Sequence, residues 1–414
     1  METESSSYVL VQFQSKLAHT RIPLPASKSI SNRALILDAL AGGGSDLSNL
    51  SRARDTQTMI RLLESDEKEL DVLDAGTTMR FLTGYLAVQD RPRILKGSKR
   101  MHERPISILV DALRKVGAEI EYLGQDGYPP LLIHPFKAQV EKNIEVKGDI
   151  SSQYLSALLM IAPSLPKGLT LIITGKIMSR PYLEMTLSLM ALFGIDHSWQ
   201  NNRIEILPQS YRPASLTVES DWSAASYWYS ILALSPEGEL FLEGLQKPSL
   251  QGDSRIAKIM TPLGVATKFN DQGARLTKTA QQTNEVALDF SDCPDLAQTV
   301  AVVCATKGIR ALMTGLESLS IKETDRIKAV HNELQKFGGD LVETAPGQWV
   351  VEPVAALDEL TRPVKIATYE DHRMAMAFAP LATNLPLVIE DPQVVNKSYP
   401  GFWQDLIKAG FSVH

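Results

Sequence analysis

Short polar clusters that run directly into apolar stretches recur six times along this chain of 414 residues. After the first pair they return about every 70–80 residues, a spacing typical of repeated supersecondary units. Small hydroxylated or acidic residues before an apolar run are typical of a helix N-terminus, because they accept hydrogen bonds from its free N–H groups. Such ends attract anions through those groups and the helix dipole. The clusters therefore predict six helix starts, at residues 27–33, 74–80, 148–153, 219–223, 291–295 and 369–373.

Between the clusters, short β-like runs alternate with longer helical ones in a constant order. The predicted helices cover residues 106–116, 181–193, 255–260 and 324–337. Each is followed by glycine, at Gly117, Gly194, Gly264 and Gly338, which favours a left-handed C-cap before the chain turns back to a sheet. The predicted strands cover residues 119–122, 131–133, 171–173, 204–207, 239–242, 309–313 and 349–351. This pattern predicts an α/β protein of six repeats, three in each of two domains.

Length and charge restrict the classes of function. A chain of 414 residues is too long for one typical core, so two domains of about 200 residues are expected. The net charge of −6 argues against a nucleic-acid surface, which is normally basic over a whole face. Local cationic clusters in an acidic chain instead favour a small anionic ligand held in a cleft. We expect small-molecule partners, with neither nucleic acid nor membrane among them.

Cysteine usage and the apolar stretches bear on the compartment. Cys293 and Cys304 form no CxxC or CxxH pair, so neither a disulfide framework nor a thiolate metal site is expected, and both residues fit core thiols. The first twelve residues lack the basic start and long apolar core of a signal peptide. The apolar stretches are shorter than a membrane span. We therefore expect a cytoplasmic protein without a metal site.

Cationic residues accompany several predicted helix starts, which a simple cap would not require. Lys28 and Arg33 flank Ser29, Ser31 and Asn32, so an ammonium, a guanidinium and hydroxyl donors would lie beside free N–H groups. An ordinary Ser-capped helix with two surface cations explains the same residues. The segment is not a P-loop, because the Gly-rich turn before Lys-Ser is missing.

A second constellation mixes cations and acids at residues 322–326. Lys322 and Arg326 are like charges at an i,i+4 spacing, where they repel each other, so a shared anion would give the arrangement a reason. Surface helices also carry such mixed runs without a ligand. Asp295, after Pro294 at a helix start, fits either a cap or a general base. Further candidates, each also explained by capping or a solvated loop, are Gly76, Arg104, Ser151, Ser152, Gln153, Ser179, Arg373 and Lys397.

Together these motifs resemble those of the 5-enolpyruvylshikimate-3-phosphate synthase (3-phosphoshikimate 1-carboxyvinyltransferase) family over residues 24–403. Residues 27–33 resemble its SKSxSNR motif, 75–80 its AGTxMR motif, 101–105 its MxERPI segment and 151–153 its SSQ motif. Residues 322–326 read KETDR, 371–374 resemble the start of its DHRMA motif, and Lys397 resembles its C-terminal lysine.

The resemblance implies a two-domain inverse α/β barrel with three βαβαββ repeats per domain, six in all, that closes on substrate. The first domain would cover residues 22–216, and the second residues 1–21 plus 217–414, with the active site in the cleft between them. Arg212-Pro213 interrupts the repeat pattern near the second boundary. If Tyr8–Phe13 is a strand of the second domain, the chain passes between the domains twice.

The resemblance also implies which residues bind the two substrates. Those expected to bind phosphoenolpyruvate are Lys28, Gly76, Arg104, Gln153, Arg326, Arg373 and Lys397. Those expected to bind shikimate 3-phosphate are Ser29, Arg33, Ser151, Ser152, Gln153, Ser179, Tyr182, Asp295, Ser318 and Lys322. Ser318 departs from the family pattern, which often has Asn there, and this weakens one expected hydrogen bond. Arg80 is expected to be structural.

The implied reaction belongs to the shikimate pathway, which leads to chorismate and the aromatic amino acids, and it needs no cofactor. The 5-hydroxyl of shikimate 3-phosphate attacks C2 of phosphoenolpyruvate while C3 takes a proton, and phosphate then leaves as C3 loses a proton. We assign Asp295 to the hydroxyl and Glu323 to the C3 proton, with Lys28 as a partner in either task. The enzyme is expected to be a monomer.

Two other functions compete with this interpretation. A UDP-N-acetylglucosamine enolpyruvyltransferase would share the fold and the donor, but that family uses a cysteine on a loop of its first domain, and this chain has none before Cys293. A non-catalytic module that binds phosphorylated metabolites is the second alternative. The joint presence of Lys28, Asp295 and Glu323 argues against it.

Overall fold

The structure is a computed structural model that describes residues 7–14, 16–17, 20–354, 357, 360 and 362–414. The chain forms two compact units. We call residues 26–218 the continuous unit, and the described part of 1–25 together with 219–414 the discontinuous unit. The assignment of enolpyruvyltransferase domains to residues 22–216 and to 1–21 plus 217–414 stays a prediction.

The described residues form helices and strands in regular alternation. The helices are α1 Lys28–Leu40, α2 Arg54–Leu63, α3 Gly76–Leu86, α4 Lys99–His102, α5 Ser107–Val116, α6 Ser152–Ile161, α7 Arg180–Leu192, α8 Trp222–Leu234, α9 Ile256–Ile259, α10 Ala297–Thr306, α11 Arg326–Gln335, α12 His372–Phe378 and α13 Phe402–Lys408. The strands are β1 Tyr8–Phe13, β2 Thr20–Pro23, β3 Asp46–Ser48, β4 Glu69–Asp71, β5 Arg93–Lys96, β6 Ile120–Tyr122, β7 Leu131–Ile133, β8 Asn143–Lys147, β9 Leu169–Thr174, β10 Ser198–Gln200, β11 Arg203–Ile206, β12 Ser215–Thr217, β13 Glu239–Glu243, β14 Val265–Asn270, β15 Gly273–Lys278, β16 Glu285–Asp289, β17 Arg310–Thr314, β18 Asp340–Ala345, β19 Gln348–Glu352, β20 Val364–Ile366, β21 Leu387–Glu390 and β22 Phe411–Val413.

All six predicted helix starts are confirmed. They begin α1, α3, α6, α8, the 3₁₀ turn Pro294–Leu296 that leads into α10, and α12. Four of them are capped by a side chain, since Ser27, Ser151, Asp221 and Asp371 each accept a hydrogen bond from a backbone N–H of the following turn. Such caps satisfy N–H groups that the helix itself leaves unpaired.

The predicted glycine ends are confirmed as well. Gly117, Gly194, Gly264 and Gly338 all have a left-handed backbone. At Gly117 the φ angle is +119°, and an added Cβ would lie 2.3 Å from the carbonyl oxygen of Ala138, so both conformation and space require glycine. The helix predicted over 255–260 is shorter than expected, because Arg255 belongs to a 3₁₀ turn at Gly252–Arg255 and the helix ends at Ile259.

Five four-stranded sheets share one topology. In each sheet the first two strands of the repeat pair in parallel. The fourth strand lies between the second and the third and is antiparallel to both, and in the last sheet β1 takes the place of the fourth strand. The sheets are β4-β5-β7-β6, β8-β9-β11-β10, β2-β13-β15-β14, β16-β17-β19-β18 and β20-β21-β1-β22. In four of these sheets one helix connects the two parallel strands, as in the predicted βαβαββ repeat, whereas in the sheet of β2 and β13 the helix before β13 is α8 and the rest of the connection is the continuous unit. The sixth repeat is reduced to the parallel pair β12-β3.

Strand β1, near the N-terminus, belongs to a sheet whose other three strands come from the C-terminal part of the chain. Strand β1 pairs antiparallel with β21 and β22. Strand β2 pairs parallel with β13, and the continuous unit is inserted between β2 and β13 in the sequence. The prediction that Tyr8–Phe13 is a strand is therefore confirmed.

Helices form the most completely buried part of each unit. Every residue of α6 from Tyr154 to Ile161 is buried, as is every residue of α10 from Ala297 to Ala305. Strand β8 instead alternates between exposed and buried residues, as expected for a sheet with one solvated face. Helix α3 packs on α6 in the continuous unit, and α8, α10 and α12 pack together in the discontinuous unit. Among the described residues, no helix combines the length and apolar character needed to cross a membrane.

Strand β1 offers a test of this sheet closure. Val11 is fully buried and pairs with Leu387 and Val413, whereas the adjacent Gln12 is exposed on the opposite face. We expect Val11→Asp to destabilise the discontinuous unit by at least about 2 kcal/mol, because it buries a carboxylate without a partner. The matched control Gln12→Asp should change stability by no more than about 0.5 kcal/mol.

The measurement is urea unfolding followed by tryptophan fluorescence. Four of the five tryptophans, Trp222, Trp228, Trp349 and Trp403, belong to the discontinuous unit, so the signal reports mainly on that unit. Equal unfolding midpoints for the Val11→Asp and Gln12→Asp proteins would contradict a core role for this strand.

Candidate active site

Three helix starts of the continuous unit are joined by side-chain hydrogen bonds. Gln153 lies at the start of α6 and Thr77 at the start of α3. The side-chain amide of Gln153 donates a hydrogen bond of 2.9 Å to the hydroxyl of Thr77. The hydroxyl of Thr78 donates to the backbone carbonyl of Asp55 at 3.1 Å, and the Asp55 carboxylate binds Lys28 at the start of α1. Free N–H groups and helix dipoles therefore favour anion binding at this end of the helices. Of the residues predicted to bind phosphoenolpyruvate, Lys28, Gly76 and Gln153 lie at these joined helix starts.

Lys28 is held by a buried carboxylate. Its Nζ lies 3.0 Å from Oδ2 of Asp55, and the exposed side-chain fractions are 15% for Lys28 and 2% for Asp55. A lysine alone would sample many rotamers, so this ion pair restricts where the ammonium can lie. The sequence did not predict a role for Asp55. An aspartate in the first turn of an amphipathic helix such as α2 is usually a surface residue, and nothing near it in sequence indicates that it is buried beside Lys28.

Gly76 makes room for two guanidinium groups. A Cβ at this position would lie 2.6 Å from Nη1 of Arg104 and 2.7 Å from Nη1 of Arg80. Arg80 is buried and donates to the carbonyl of Gly76 at 3.0 Å, which fits the expected structural role. Arg104 is half-buried, and its Nε has no hydrogen-bond partner among the described residues. Arg104 thus keeps at least one donor that the described residues do not satisfy.

Arg33 faces the core of the continuous unit. Its guanidinium donates to the hydroxyls of Thr186 at 2.8 Å and Ser156 at 3.0 Å, and to the carbonyl of Ser29 at 3.0 Å. The residue is 2% exposed, and burial lowers the pKa of its guanidinium to about 10. Its charge lies 5.8 Å from the ring centroid of Tyr182. Three of the five N–H donors of the guanidinium are thereby used, and its burial limits direct contact with a ligand.

The predicted serines lie at helix starts of the same unit. Ser151 caps α6 and Ser152 is its first residue, and both are half-buried. Ser179 precedes α7 with a left-handed backbone (φ +55°), and its hydroxyl does not cap that helix. A left-handed backbone at a residue other than glycine is strained and is often retained where it serves a site.

In the discontinuous unit, Arg326 lies at the centre of a buried ionic network. Its Nε donates to Oδ2 of Asp371 at 2.7 Å, Nη1 to Oδ1 of Asp295 at 2.9 Å, and Nη2 to Oε2 of Glu323 at 2.7 Å. The side chains of Arg326 and Asp371 are 2% and 0% exposed. Burial by itself lowers the pKa of Arg326, but these carboxylates outweigh burial and raise it. The motif at residues 371–374 predicted a helix start here, but no sequence pattern predicts that Asp371 pairs with Arg326.

Asp295 is shared by three cations. Besides Arg326, its carboxylate accepts from Nη2 of Arg373 at 3.0 Å, and Nζ of Lys322 lies 3.7 Å away. Burial alone would raise the pKa of Asp295, but Arg373, Lys322 and Arg326 together hold it well below its usual value. The like charges of Lys322 and Arg326 at i,i+4 thus share an anion, and in this structure that anion is the Asp295 carboxylate. We call Arg326 and the residues joined to it through these contacts the ionic network.

Glu323 and Lys397 complete the ionic network. Oε1 of Glu323 lies 3.9 Å from Nζ of Lys397, which is 3% exposed, while Oε2 accepts from Arg326. The structure therefore brings together Asp295, Lys322, Glu323, Arg326, Arg373 and Lys397 from four separate segments of sequence.

Ser318 is also a predicted ligand of shikimate 3-phosphate. Its hydroxyl is buried and has no hydrogen-bond partner among the described residues.

Both cysteines are core residues, as the sequence indicated. Cys293 and Cys304 are fully buried. Burial raises the pKa of the Cys293 thiol, and it raises the pKa of Cys304 to about 12. Because the thiolate is the reactive form, neither cysteine is suited to nucleophilic chemistry.

Known proteins resemble this chain over almost its whole length. A sequence model of the family EPSP synthase (3-phosphoshikimate 1-carboxyvinyltransferase) matches residues 13–71 and 61–406. A 3-phosphoshikimate 1-carboxyvinyltransferase of Bacteroides fragilis is 51% identical over 396 residues, which is 95% of each chain. The protein of that name from Cellvibrio japonicus is 38% identical over 417 residues, covering 93% of this chain and 96% of the relative.

Solved structures agree on the fold. The EPSP synthase from Acinetobacter baumannii matches with a TM-score of 0.75 at 20% identity, over 99% of this chain and 100% of that chain. The enolpyruvyl transferase NikO from Streptomyces tendae matches with a TM-score of 0.75 at 13% identity, over 99% of both chains. These likenesses confirm the predicted enolpyruvyltransferase fold. From the family match and the identity to the curated relatives, it follows that this chain belongs to the EPSP synthase (3-phosphoshikimate 1-carboxyvinyltransferase) family.

Proposed function

We propose that this chain transfers the enolpyruvyl group of phosphoenolpyruvate to the 5-hydroxyl of shikimate 3-phosphate, forming 5-enolpyruvylshikimate 3-phosphate and phosphate. Membership of the family supports this reaction. The observation that carries it most directly is the ionic network, where two carboxylates proposed for proton transfer, Asp295 and Glu323, share Arg326. A turnover assay with both substrates that follows phosphate release tests the proposal.

The substrates are recognised by charge. Phosphoenolpyruvate and shikimate 3-phosphate together carry two phosphates and two carboxylates, whose mutual repulsion must be screened. We assign phosphoenolpyruvate to Lys28, Gly76, Arg104, Gln153, Arg326, Arg373 and Lys397. Preorganised cations of this kind also stabilise charge that develops in a transition state.

Shikimate 3-phosphate has a ring with hydroxyls as well as charges, so its proposed ligands are mixed. They are Ser29, Arg33, Ser151, Ser152, Gln153, Ser179, Tyr182, Asp295, Ser318 and Lys322. The hydroxyl of Ser318 supports this assignment, since it is buried and lacks a partner among the described residues. Arg33 supports it least, because its guanidinium is already bonded to Thr186 and Ser156.

Proton transfer accompanies both steps of the reaction. The 5-hydroxyl oxygen bonds to C2 of phosphoenolpyruvate and loses its proton to Asp295, while C3 takes a proton from the carboxyl group of Glu323 and a tetrahedral ketal forms. The C2–O bond to phosphate then breaks as C3 gives a proton back to Glu323, and the departing phosphate takes the proton held by Asp295. Lys28 shares either task. Each step conserves atoms and electrons without an oxidant or reductant.

Asp295 must become a stronger base than it is in this structure. Arg373, Lys322 and Arg326 hold its pKa well below the usual value, and a carboxylate so stabilised accepts a proton poorly. The proposed substrate anions bind the same cations. When Arg373 and Lys322 turn toward substrate, the pKa of Asp295 rises, so substrate binding itself would activate the base.

The structure gives one observation on the competing enolpyruvyltransferase that uses a cysteine. Both cysteines of this chain are buried in the discontinuous unit, where burial raises the pKa of each thiol. Neither is suited to act as an acid or nucleophile at neutral pH. We therefore favour shikimate 3-phosphate over UDP-N-acetylglucosamine as the acceptor.

Lys28→Met should lower turnover by about 100-fold or more, because Met keeps much of the length and apolar contact of lysine but loses the charge that stabilises phosphate. The matched control is Lys96→Met on β5, which breaks only a surface pair with Glu69. The control should retain turnover within about twofold, because such pairs contribute little. Steady-state phosphate release measures both variants. Near-normal turnover of a folded Lys28→Met enzyme would remove Lys28 from the proposed site.

Glu323→Gln should lower turnover by about 10²–10⁴-fold, the usual contribution of general acid–base catalysis. Affinity for shikimate 3-phosphate should change by less than about tenfold, because we place Glu323 near the pyruvyl carbon. Glutamine keeps an oxygen that can accept from Arg326, so the ionic network loses a charge but not a hydrogen bond. Calorimetric titration and single-turnover kinetics measure the two quantities.

The control for this substitution is Glu317→Gln, six residues earlier at an exposed position. It should behave as the unaltered enzyme. If the Glu323→Gln enzyme kept more than about a third of normal turnover, Glu323 would be only a structural partner of Arg326, and proton transfer at C3 would fall to Lys28.

A further inference from the structure

One buried carboxylate of the discontinuous unit, Asp253, has no role in the reaction described above. Asp253, in the 3₁₀ turn Gly252–Arg255, is 3% exposed. Its Oδ2 accepts a hydrogen bond from the hydroxyl of Ser223, the second residue of α8. Its Oδ1 is buried with no hydrogen-bond partner among the described residues. A buried charge satisfied on one side only is costly, so its retention needs a reason.

Ser223 links this carboxylate to Arg373. The Oγ of Ser223 lies 3.4 Å from Nη2 of Arg373, and the same Nη2 donates to Oδ2 of Asp295 at 3.0 Å. A serine hydroxyl has one hydrogen to donate and two lone pairs. Because Asp253 accepts the hydrogen of Ser223, the lone pairs of Ser223 are left to face the guanidinium. Arg373 is therefore held between Asp295 on one side and the Ser223–Asp253 pair on the other.

The backbone around Asp253 is fixed to the start of α8. The side-chain oxygen of Gln251 accepts from the backbone N–H of Trp222 at 3.0 Å, and its amide donates to the carbonyl of Ser220 at 2.9 Å. Gln251 is itself buried. These two bonds set the distance between the 3₁₀ turn and α8, so the Asp253 carboxylate has little freedom to follow Arg373 elsewhere.

We propose that Asp253 is a positioning residue for phosphoenolpyruvate binding, which acts through Ser223 to hold Arg373 from the side opposite Asp295 and so to weaken the Arg373–Asp295 ion pair. This proposal rests on the proposed function, in which Arg373 binds phosphoenolpyruvate. Without the Ser223–Asp253 pair, Arg373 keeps its ion pair with Asp295 but loses the opposing contact, so the substrate must compete with a tighter ion pair. Asp253 touches no substrate in this arrangement and is not a catalytic residue.

The charge of Asp253 gives the proposal a pH signature. Burial, and next the charge of Asp295, raise the pKa of Asp253 to about 7, whereas Arg373 and the Ser223 hydroxyl lower it. The other titratable groups that face it are Asp221 and Cys293. Because the pKa is raised, Asp253 is protonated below about pH 7 and charged above it. Arg373 should thus be held best, and phosphoenolpyruvate bound best, on the alkaline side of that value.

The test compares Asp253→Asn and Ser223→Ala with the unaltered enzyme at saturating shikimate 3-phosphate. We expect KM for phosphoenolpyruvate to rise about fivefold to tenfold in both variants, because each loses a hydrogen bond that positions Arg373. The value of kcat should stay within about threefold, because the groups assigned to proton transfer are unchanged. Ser223→Thr keeps the hydroxyl and should restore KM. The control Asp271→Asn, on the exposed turn between β14 and β15, should leave KM unchanged.

The pH dependence separates positioning from a merely structural role. In the unaltered enzyme KM for phosphoenolpyruvate should fall between about pH 6 and 8, and the Asp253→Asn enzyme should lack this change because its side chain does not titrate. An unchanged KM in both variants, or the same pH profile in the Asp253→Asn enzyme, overturns the proposal. If Asp253→Asn does not fold, Ser223→Ala decides, since it removes one hydroxyl.

Failure of the proposed function would look different. An unaltered enzyme that neither releases phosphate nor binds phosphoenolpyruvate, by calorimetry with saturating shikimate 3-phosphate, refutes the function and this inference with it. An unaltered enzyme that turns over normally, with variants that bind phosphoenolpyruvate equally well, refutes the inference alone.

Discussion

The arrangement of the discontinuous unit's site depends on the burial of one guanidinium, that of Arg326. A charge with 2% exposure is tolerated only when it is paired and hydrogen-bonded, and removal of one partner from such a pair typically costs about 3–5 kcal/mol. Arg326 meets this requirement with Asp371 at the start of α12, Asp295 before α10, and Glu323 just before α11. Three helix starts are thereby fixed to one side chain. Every other contact of the ionic network depends on where these three carboxylates lie.

The two units use the same repeat for different chemistry. In the continuous unit, the helix starts present a lysine, arginines, hydroxyls and an amide, with Asp55 as the carboxylate that orients Lys28. In the discontinuous unit, the equivalent starts carry Asp221, Asp295 and Asp371. The repeat supplies buried helices with N-termini on one side, and the residues at each N-terminus decide whether it offers positive charge or a proton acceptor. Both of the proposed proton-transfer carboxylates belong to the discontinuous unit.

Features set by neighbours in sequence could be predicted, and features set by distant contacts could not. The six helix starts, the strand Tyr8–Phe13 and the left-handed glycines depend on a few adjacent residues, and all are confirmed. Asp55, the partner of Lys28, lies 27 residues away in sequence. Asp371, the partner of Arg326 at the start of α12, lies 45 residues away, so no local sequence pattern predicts either pair. Arg33 shows the same limit. Helices buried on all sides, such as α6 and α8, have no polar face to indicate direction, and neither the sequence of α1 nor a motif shows that Arg33 points inward.

The cations of the ionic network are paired with carboxylates in the absence of substrate. A site of isolated cations would have to lose bound water on each encounter, and the desolvation of each ion is worth several kcal/mol. Here part of that cost is already met on folding, because Arg373, Lys322 and Lys397 face Asp295 and Glu323 at distances of 3.0, 3.7 and 3.9 Å. Substrate anions would then exchange one set of anionic partners for another, which requires little reorganisation of the cations. The exchange releases the very carboxylates to which we assign proton transfer, so binding and activation of the base become one event.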